Sequence, residues 1–100
     1  MAIKIFYSKY VKDDLKDITQ WYSKINTILS KKFSSDFRNK INLIKENPQY
    51  FEIKYENSRI IFLDTFPYGI HYEFFEAESC IKIYAVFHTS RNPQIWQERK

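Results

Sequence analysis

At 100 residues, 44% of them hydrophobic and 19% aromatic, the chain can build one core, which argues against intrinsic disorder. Its 16 basic and 12 acidic residues give a formal net charge of +4, which indicates an anionic partner or serves solubility alone. The lone cysteine excludes an intrachain disulfide, and no His/Cys cluster suggests a metal site. No apolar run predicts a signal peptide or a membrane span. We therefore expect one cytoplasmic domain over residues 1–100, without a cofactor.

The first predicted elements are a strand and a helix. Residues Ile3–Tyr7 alternate as a strand does, and Ser8 offers an N-cap for the helix that follows. Apolar side chains then recur every three or four positions and form one helical stripe: Val11, Leu15, Ile18, Tyr22 and Ile25. Asp13 and Asp14 are expected near the positive end of this helix, where the macrodipole favours carboxylates.

A second helix is predicted directly after Asn26 or Thr27, which end the first. Its apolar face is formed by five residues at helical spacing: Leu29, Phe33, Phe37, Ile41 and Ile44. This helix should run to about Glu46, because the following Asn47-Pro48 disfavours further helix. The short connection predicts an antiparallel helical hairpin whose apolar stripes need a sheet to cover them.

Four extended segments follow in the second half of the chain. Tyr50–Tyr55 leads into the sheet, and Arg59–Asp64 is a strand with two partly apolar faces. Tyr68–Phe75 and Ile81–Phe87 form a hairpin around a short polar turn. Gly69 lies inside a strand pattern, which predicts a bulge or a close backbone approach. The predicted fold class is therefore α+β, with an N-terminal strand and a helical hairpin packed on one face of an antiparallel sheet.

Alternation along the last two strands predicts which side chains share a face of the sheet. One set should face the helices: Ile70, Tyr72, Phe74, Ile81, Ile83, Ala85 and Phe87. The opposite face would then carry the remaining side chains: Gly69, His71, Glu73, Phe75, Lys82, Tyr84, Val86 and His88. Arg59, Lys54 and Arg91 stand at strand ends and could reach its rim. Such a surface of cations, imidazoles and tyrosines suits RNA, although an antiparallel sheet normally has one solvated face.

Four stretches and one arginine, in their order and spacing, resemble a known family. They are YSKYVKDDLKDITQWY at the first helix, LIKENPQYF at the end of the second, Arg59 and FPYGIHY in the sheet, and VFHTSRNPQIW near the end. By these features the chain is similar to the RelE/ParE toxins of bacterial type II toxin–antitoxin modules. The resemblance implies the α+β fold described above and an antitoxin encoded beside the toxin.

Charge and aromatic surface predict how that antitoxin would bind. A protein with a net charge of +4 should be neutralised by an acidic, partly disordered antitoxin segment that folds on binding and forms a hetero-oligomer. Apolar anchors of the segment would fill grooves beside the helical hairpin, at four aromatic residues: Trp21, Tyr22, Phe33 and Phe37. Trp21 could equally be a boundary residue that finishes the core.

Some members of the family cleave mRNA in the ribosomal A site without a metal, by attack of the 2′-hydroxyl on the adjacent phosphate. Such a reaction needs a base, an acid and a cation that stabilises the developing charge. The resemblance implies His88 as base or acid, with Arg91 and Arg59 as charge stabilisers. RNA contacts would come from four further residues: Lys54, His71, Lys82 and Tyr84.

Two histidines and several cations on one predicted face favour this mRNA cleavage as the first hypothesis, and the ParE branch of the family implies the alternative. Its members poison DNA gyrase without known hydrolytic chemistry, and the VxH followed by an arginine resembles their tail as well. Members that rely on a C-terminal tyrosine have no counterpart here, because the tail carries a tryptophan instead. A basic RNA-binding module is a third hypothesis. Each catalytic candidate also has a structural alternative: His88 as a strand-end cap that bonds a backbone carbonyl, Arg59 in an ion pair with Glu73 or Asp64, and Arg91 as an anchor of the tail.

Overall fold

Two helices pack on one face of a five-stranded sheet, in a computed structural model that describes residues 3–90. The elements in chain order are β1 (Lys4–Tyr7), α1 (Lys9–Ile25), α2 (Thr27–Glu46), β2 (Ile53–Tyr55), β3 (Ser58–Phe62), β4 (Tyr68–Phe75) and β5 (Cys80–His88). The strand order across the sheet is β1-β5-β4-β3-β2. The α+β class predicted from the sequence is confirmed, with one difference: β1 runs parallel to β5, so the sheet is mixed rather than wholly antiparallel.

Local caps define the helical hairpin. The Ser8 hydroxyl oxygen accepts a hydrogen bond from the Tyr10 amide at 3.3 Å and starts α1, as predicted. Asn26 ends one helix and starts the next. Its amide donates to the Tyr22 carbonyl at 2.8 Å, and its side-chain oxygen accepts from the Ile28 amide at 2.8 Å. A single residue therefore joins the helices, which leaves no room for any arrangement but antiparallel neighbours.

The helix-facing core is formed by the helical stripes and the inner sides of β3, β4 and β5. Its buried members are Val11, Ile18, Phe33, Phe37, Ile41, Ile44, Ile61, Leu63, Phe66, Ile70, Tyr72, Ile81, Ile83 and Val86. Phe33 is fully buried, and its ring lies 5.5 Å from Phe66 and 5.7 Å from Tyr68, edge to face. Ile25 was expected in this stripe but is exposed, because the last residue of α1 lies beyond the core.

Beyond the end of β1, residues of the N-terminal segment continue to form hydrogen bonds with the edge of β5. The Ser8 amide donates to the Ile83 carbonyl at 2.9 Å, and the Ser8 hydroxyl donates to the Tyr84 carbonyl at 2.7 Å. Further along, an Asp14 side-chain oxygen accepts the Val86 amide at 3.0 Å. The expected interaction of Asp13 and Asp14 with the positive end of α1 is wrong, because the helix begins at Lys9 and its first turn contains no acidic residue.

An extra residue in β5 changes which side chains face the helices. Tyr72 pairs with Ile83 and His71 pairs with Ala85, so Tyr84 has no partner position in β4. Ile83 and Val86 therefore both join the helix-facing core, whereas Tyr84, Ala85 and Phe87 form a separate cluster. The face assignment made from alternation is wrong for the end of this strand: Ala85, Val86, Phe87 and His88.

Gly69 lies in regular strand backbone without a positive φ, so the bulge expected there is in β5 instead. The alternative expectation, a close approach, is confirmed. A Cβ on Gly69 would stand 2.9 Å from the Ile60 Cγ2 atom and 3.2 Å from the Phe62 ring. Glycine is therefore required here by the packing of β3 on the face opposite the helices.

Candidate functional site

His88 lies at the end of β5 on the helix side of the sheet. It borders a cleft of about 170 Å³ whose other lining residues are Asp14, Asp17, Ile18, Trp21, Tyr68 and Val86. The imidazole is partly exposed and meets the Tyr68 ring edge to face, with 5.2 Å between ring centroids. Two carboxylates therefore stand near the one histidine that the sequence places at a strand end.

The hydrogen bonds of His88 fix its tautomer. Its Nδ1 atom accepts the Ser90 amide at 3.0 Å and lies 2.8 Å from the Ser90 hydroxyl oxygen. A backbone amide can only donate, so Nδ1 carries no proton and the neutral ring holds its proton on Nε2. His88 therefore caps the strand end by accepting from a backbone amide rather than by bonding the expected carbonyl, while a catalytic role for His88 stays a prediction.

Arg59 fixes the loop between α2 and β2. Its Nη1 atom donates to the Phe51 carbonyl at 2.5 Å and to the Gln49 carbonyl at 3.2 Å. The side chain lies on the helix-facing side, because Arg59 alternates with the core residue Ile61. The guanidinium therefore has a structural role. This role differs both from the predicted catalytic role of Arg59 and from the predicted ion pair with Glu73 or Asp64.

Arg59 and His88 lie on different strands at different levels of the sheet. Arg59 pairs with Tyr72 of β4, whereas His88 pairs with Tyr68, and β4 separates the two strands. At about 3.4 Å per residue and about 4.8 Å per strand, their Cα atoms lie roughly 17 Å apart. The guanidinium also points to the loop after α2 rather than toward His88. Arg91, the third catalytic candidate, lies outside the described residues.

His71 is buried on the face opposite the helices and is only 2% exposed. Its Nδ1 atom lies 3.0 Å from the Tyr55 hydroxyl, and its ring stands edge to face against Phe87 at 5.0 Å. Burial lowers the pKa of His71 to about 4, because the charged imidazolium would lose its solvation. His71 is therefore neutral at pH 7 and closed to a nucleic acid, so its expected place on an RNA surface is wrong.

Tyr84 is buried on the same face. Its hydroxyl donates to a Glu73 carboxylate oxygen at 3.0 Å, and burial raises the pKa of Tyr84 above its ordinary value. The Lys82 ammonium lies 5.3 Å from the centre of the Tyr84 ring, a cation–π contact. Tyr55, His71, Tyr84, Ala85 and Phe87, which we call the outer cluster, thus pack against one another instead of presenting open rings for stacking.

The expected RNA surface therefore does not exist as one surface within residues 3–90. Lys82 and Lys54 are exposed, but Lys54 pairs with Glu52 at 3.1 Å, while Arg59 and His88 lie on the helix side. The extra residue in β5 separates His88 from Lys82, because it reverses the alternation between them.

The four aromatic residues proposed for antitoxin binding differ in accessibility. Trp21 is exposed, whereas Tyr22 packs edge to face on Phe66 at 5.1 Å. Phe33 and Phe37 are core residues, so the expectation that they form an open aromatic surface is wrong. The sheet covers the apolar stripe of α2 that contains Phe33 and Phe37. The spacing of residues within one helix does not show which other element covers it.

Two adjoining grooves nevertheless run beside the helices. One, of about 310 Å³, is lined by Tyr7, Val11, Lys12, Leu15 and Phe37. The other, of about 260 Å³, is lined by Leu15, Thr19, Phe33, Ser34, Phe37 and Arg38. They share Leu15 and Phe37 as their floor, and each includes one cationic residue. The sequence analysis missed Tyr7, Lys12, Leu15 and Arg38 here, since a groove between elements leaves no periodic signal.

Metal and membrane features were also searched in the described part of the chain. Within residues 3–90, no group of three or more His, Cys, Asp or Glu side chains is arranged to hold a metal ion. Neither helix of this region is long and apolar enough to cross a bilayer.

The arrangement of two helices on this five-stranded sheet is the fold of RelE/ParE toxins. A chain of the chromosomal ParDE toxin–antitoxin system from P. aeruginosa superposes with a TM-score of 0.73 and 14% identity, covering 87% of this chain and 96% of that one. The E. coli toxin RelE, solved in the free state with two arginine substitutions, superposes with a TM-score of 0.64 and 14% identity, covering 99% and 95%.

The sequence itself assigns the family. Residues 5–93 match the family of ParE toxins of the type II toxin–antitoxin system parDE. The chain belongs to this family and is a toxin of a type II toxin–antitoxin module, which implies an antitoxin partner. No curated protein matches it.

Proposed function

We propose that this toxin acts by binding DNA gyrase, without hydrolytic chemistry, as the ParE branch of the family does. The observation that carries the proposal is that, of the two catalytic candidates within residues 3–90, the Arg59 cation is held away from His88 by the loop after α2. Metal-free cleavage of RNA needs its acid, base and cation around one phosphate. Here the Arg59 guanidinium is bound to two backbone carbonyls of the loop after α2, and the Cα atoms of Arg59 and His88 lie roughly 17 Å apart.

The charge around His88 supports the same proposal. Asp14 and Asp17 line the cleft beside the imidazole, and their negative charge disfavours an RNA phosphate there. The match of residues 5–93 to ParE toxins points in the same direction.

Cleavage of ribosome-bound mRNA is the second candidate. It is favoured by the partly exposed imidazole of His88, whose Nε2 proton is the one available for donation. Under this alternative, the substitution His88→Ala should lower the cleavage rate at least about a hundredfold while the fold is kept.

Two purified assays separate the candidates. We expect the toxin to inhibit supercoiling by isolated gyrase and to leave mRNA intact in a translating extract. The variant His88→Ala should inhibit gyrase within about twofold of the wild-type protein if its role is the strand-end cap. Cleavage of mRNA in the extract together with normal supercoiling would reject the proposal.

For the antitoxin we propose the two grooves beside the helices as its binding site. Their apolar floor and the flanking cations Lys12 and Arg38 fit an acidic segment with apolar anchors. Replacing Leu15, which lines both grooves, by Glu should weaken the complex at least about tenfold. The control Asp17→Glu changes an exposed residue outside the grooves and should have no effect. Association should slow as salt is raised, and a salt-insensitive rate would contradict this proposal.

A further inference from the structure

The tip of the helical hairpin exposes three large apolar side chains. Trp21, Ile25 and Ile28 are 60%, 61% and 60% exposed. Trp21 and Ile25 are four positions apart on α1 and share one side of that helix, and Ile28 follows directly across the Asn26 junction. We call these three residues the hairpin tip. None of them belongs to the helix-facing core, so the fold itself does not account for their size.

Lysines surround the hairpin tip. Lys24 stands three positions after Trp21, and Lys31 and Lys32 stand three and four positions after Ile28, so they share the sides of the helices on which the apolar residues lie. All three lysines are exposed. An apolar patch with a polar rim is the usual make-up of a protein–protein contact, and here the rim is positively charged.

We infer that the hairpin tip is the surface with which the toxin contacts its protein target, and that it takes an apolar pocket bordered by carboxylates. The inference rests on the proposed function, in which the target is gyrase. A second copy of this chain fits poorly, because its own lysine rim would be repelled. A nucleic acid would meet the lysines but leave three apolar side chains without a counterpart. The antitoxin grooves are lined by other residues, so both partners can be told apart by mutation.

The decisive variants remove the apolar side chains without touching the core. We expect Trp21→Ala and the double variant Ile25→Ser/Ile28→Ser each to raise the toxin concentration for half-inhibition of purified gyrase at least about tenfold. Tyr50→Ser is the matched control, since Tyr50 is also a large exposed side chain, at 79%, but lies outside the hairpin. It should stay within about twofold. An unchanged urea denaturation midpoint would show that each variant is folded, independently of the antitoxin, for which Trp21 is also a sequence candidate.

The rim is tested by neutralising one lysine at a time. Lys31→Gln should slow association with immobilised gyrase at low salt, and the difference from the wild-type protein should shrink as ionic strength rises. Lys45→Gln removes the same charge from the other end of α2 and should change the rate less. Equal effects of the two substitutions would overturn the role of the rim.

Growth arrest separates failure of this inference from failure of the proposed function. If wild-type toxin does not inhibit gyrase, the proposed target is wrong, and the hairpin tip is then judged by toxicity in cells, whichever protein is the target. Folded tip variants that arrest growth as strongly as wild type would overturn the inference in either case. Loss of arrest in the tip variants, with Tyr50→Ser still toxic, would support it.

Discussion

The two faces of the sheet bury side chains in different ways. On one face, the helix-facing core joins aliphatic and aromatic residues from both helices and three strands. On the other, the outer cluster is smaller and combines rings with polar partners, such as the Tyr55 hydroxyl beside His71 and the Tyr84 hydroxyl on Glu73. Burial alone therefore does not distinguish a core residue from a site residue. The two are distinguished by the groups that each buried side chain contacts.

The largest difference between the faces should appear in the free energy of unfolding. Phe33 is fully buried among Tyr22, Phe66 and Tyr68, so Phe33→Ala should lower this free energy by about 3–5 kcal/mol, measured by urea denaturation. The control Phe62→Ala removes the same ring from the opposite face, where Phe62 is half exposed. It should cost less than about 1.5 kcal/mol, and similar losses for both would remove the contrast.

The outer cluster should make the free energy of unfolding depend on pH. The pKa of His71 is about 4 in the folded protein and 6.5 in the unfolded chain, so the unfolded state binds more protons between these values. Stability should therefore be complete above pH 6.5 and fall as the pH drops toward 4, by up to about 3 kcal/mol. Comparing wild type with His71→Gln isolates this contribution, because the variant should lose that part of the pH dependence. Parallel pH profiles would show that His71 is not desolvated.

The smallest effect is expected where α1 meets the extra residue of β5. Asp14→Ala would leave the buried Val86 amide without its acceptor and should cost about 1–3 kcal/mol in unfolding free energy. Asp17→Ala, one helical turn away and exposed, should change it by less than about 0.5 kcal/mol. Asp14→Asn keeps an acceptor oxygen and should recover part of the loss. If Asp14→Ala were as stable as Asp17→Ala, the carboxylate would not hold this edge.

Sequence patterns predicted the parts of the fold that depend on neighbours in the chain. The helical stripes, the cap at Ser8 and the break at Asn26 all depend on residues close together in the chain, and the structure confirms them except for the exposed Ile25. The end of β5 could not be predicted in this way. Its alternation is reversed by one extra residue, Tyr84. The Tyr84 carbonyl accepts a hydrogen bond from the Ser8 hydroxyl, and the nearby Val86 amide donates to Asp14, so both contacts come from near the other end of the described chain.

Within residues 3–90 the candidate site residues do not share one surface, for the same physical reason. Strand alternation predicted that His88 and Lys82 lie on the same face of the sheet. The pairing of β5 with β4 contains an extra residue between them, so they lie on opposite faces. Arg59 had no sequence feature that indicated two backbone carbonyls as its partners. The roles of the candidate residues in toxicity therefore depend on the experiments above, whereas the family follows from the fold and from residues 5–93 together.

The parallel pairing of β1 with β5 has a consequence for folding on the ribosome. Lys4 lies beside Cys80 and Tyr7 beside Ile83, so the first strand to be synthesised must wait for the last described one. Pairs so distant in sequence give a high contact order and slow folding, because a long loop must close before the contact forms. The helical hairpin can form early from local contacts, but the sheet cannot close until β5 has been synthesised. A chain that has not yet reached β5 would therefore lack the finished sheet.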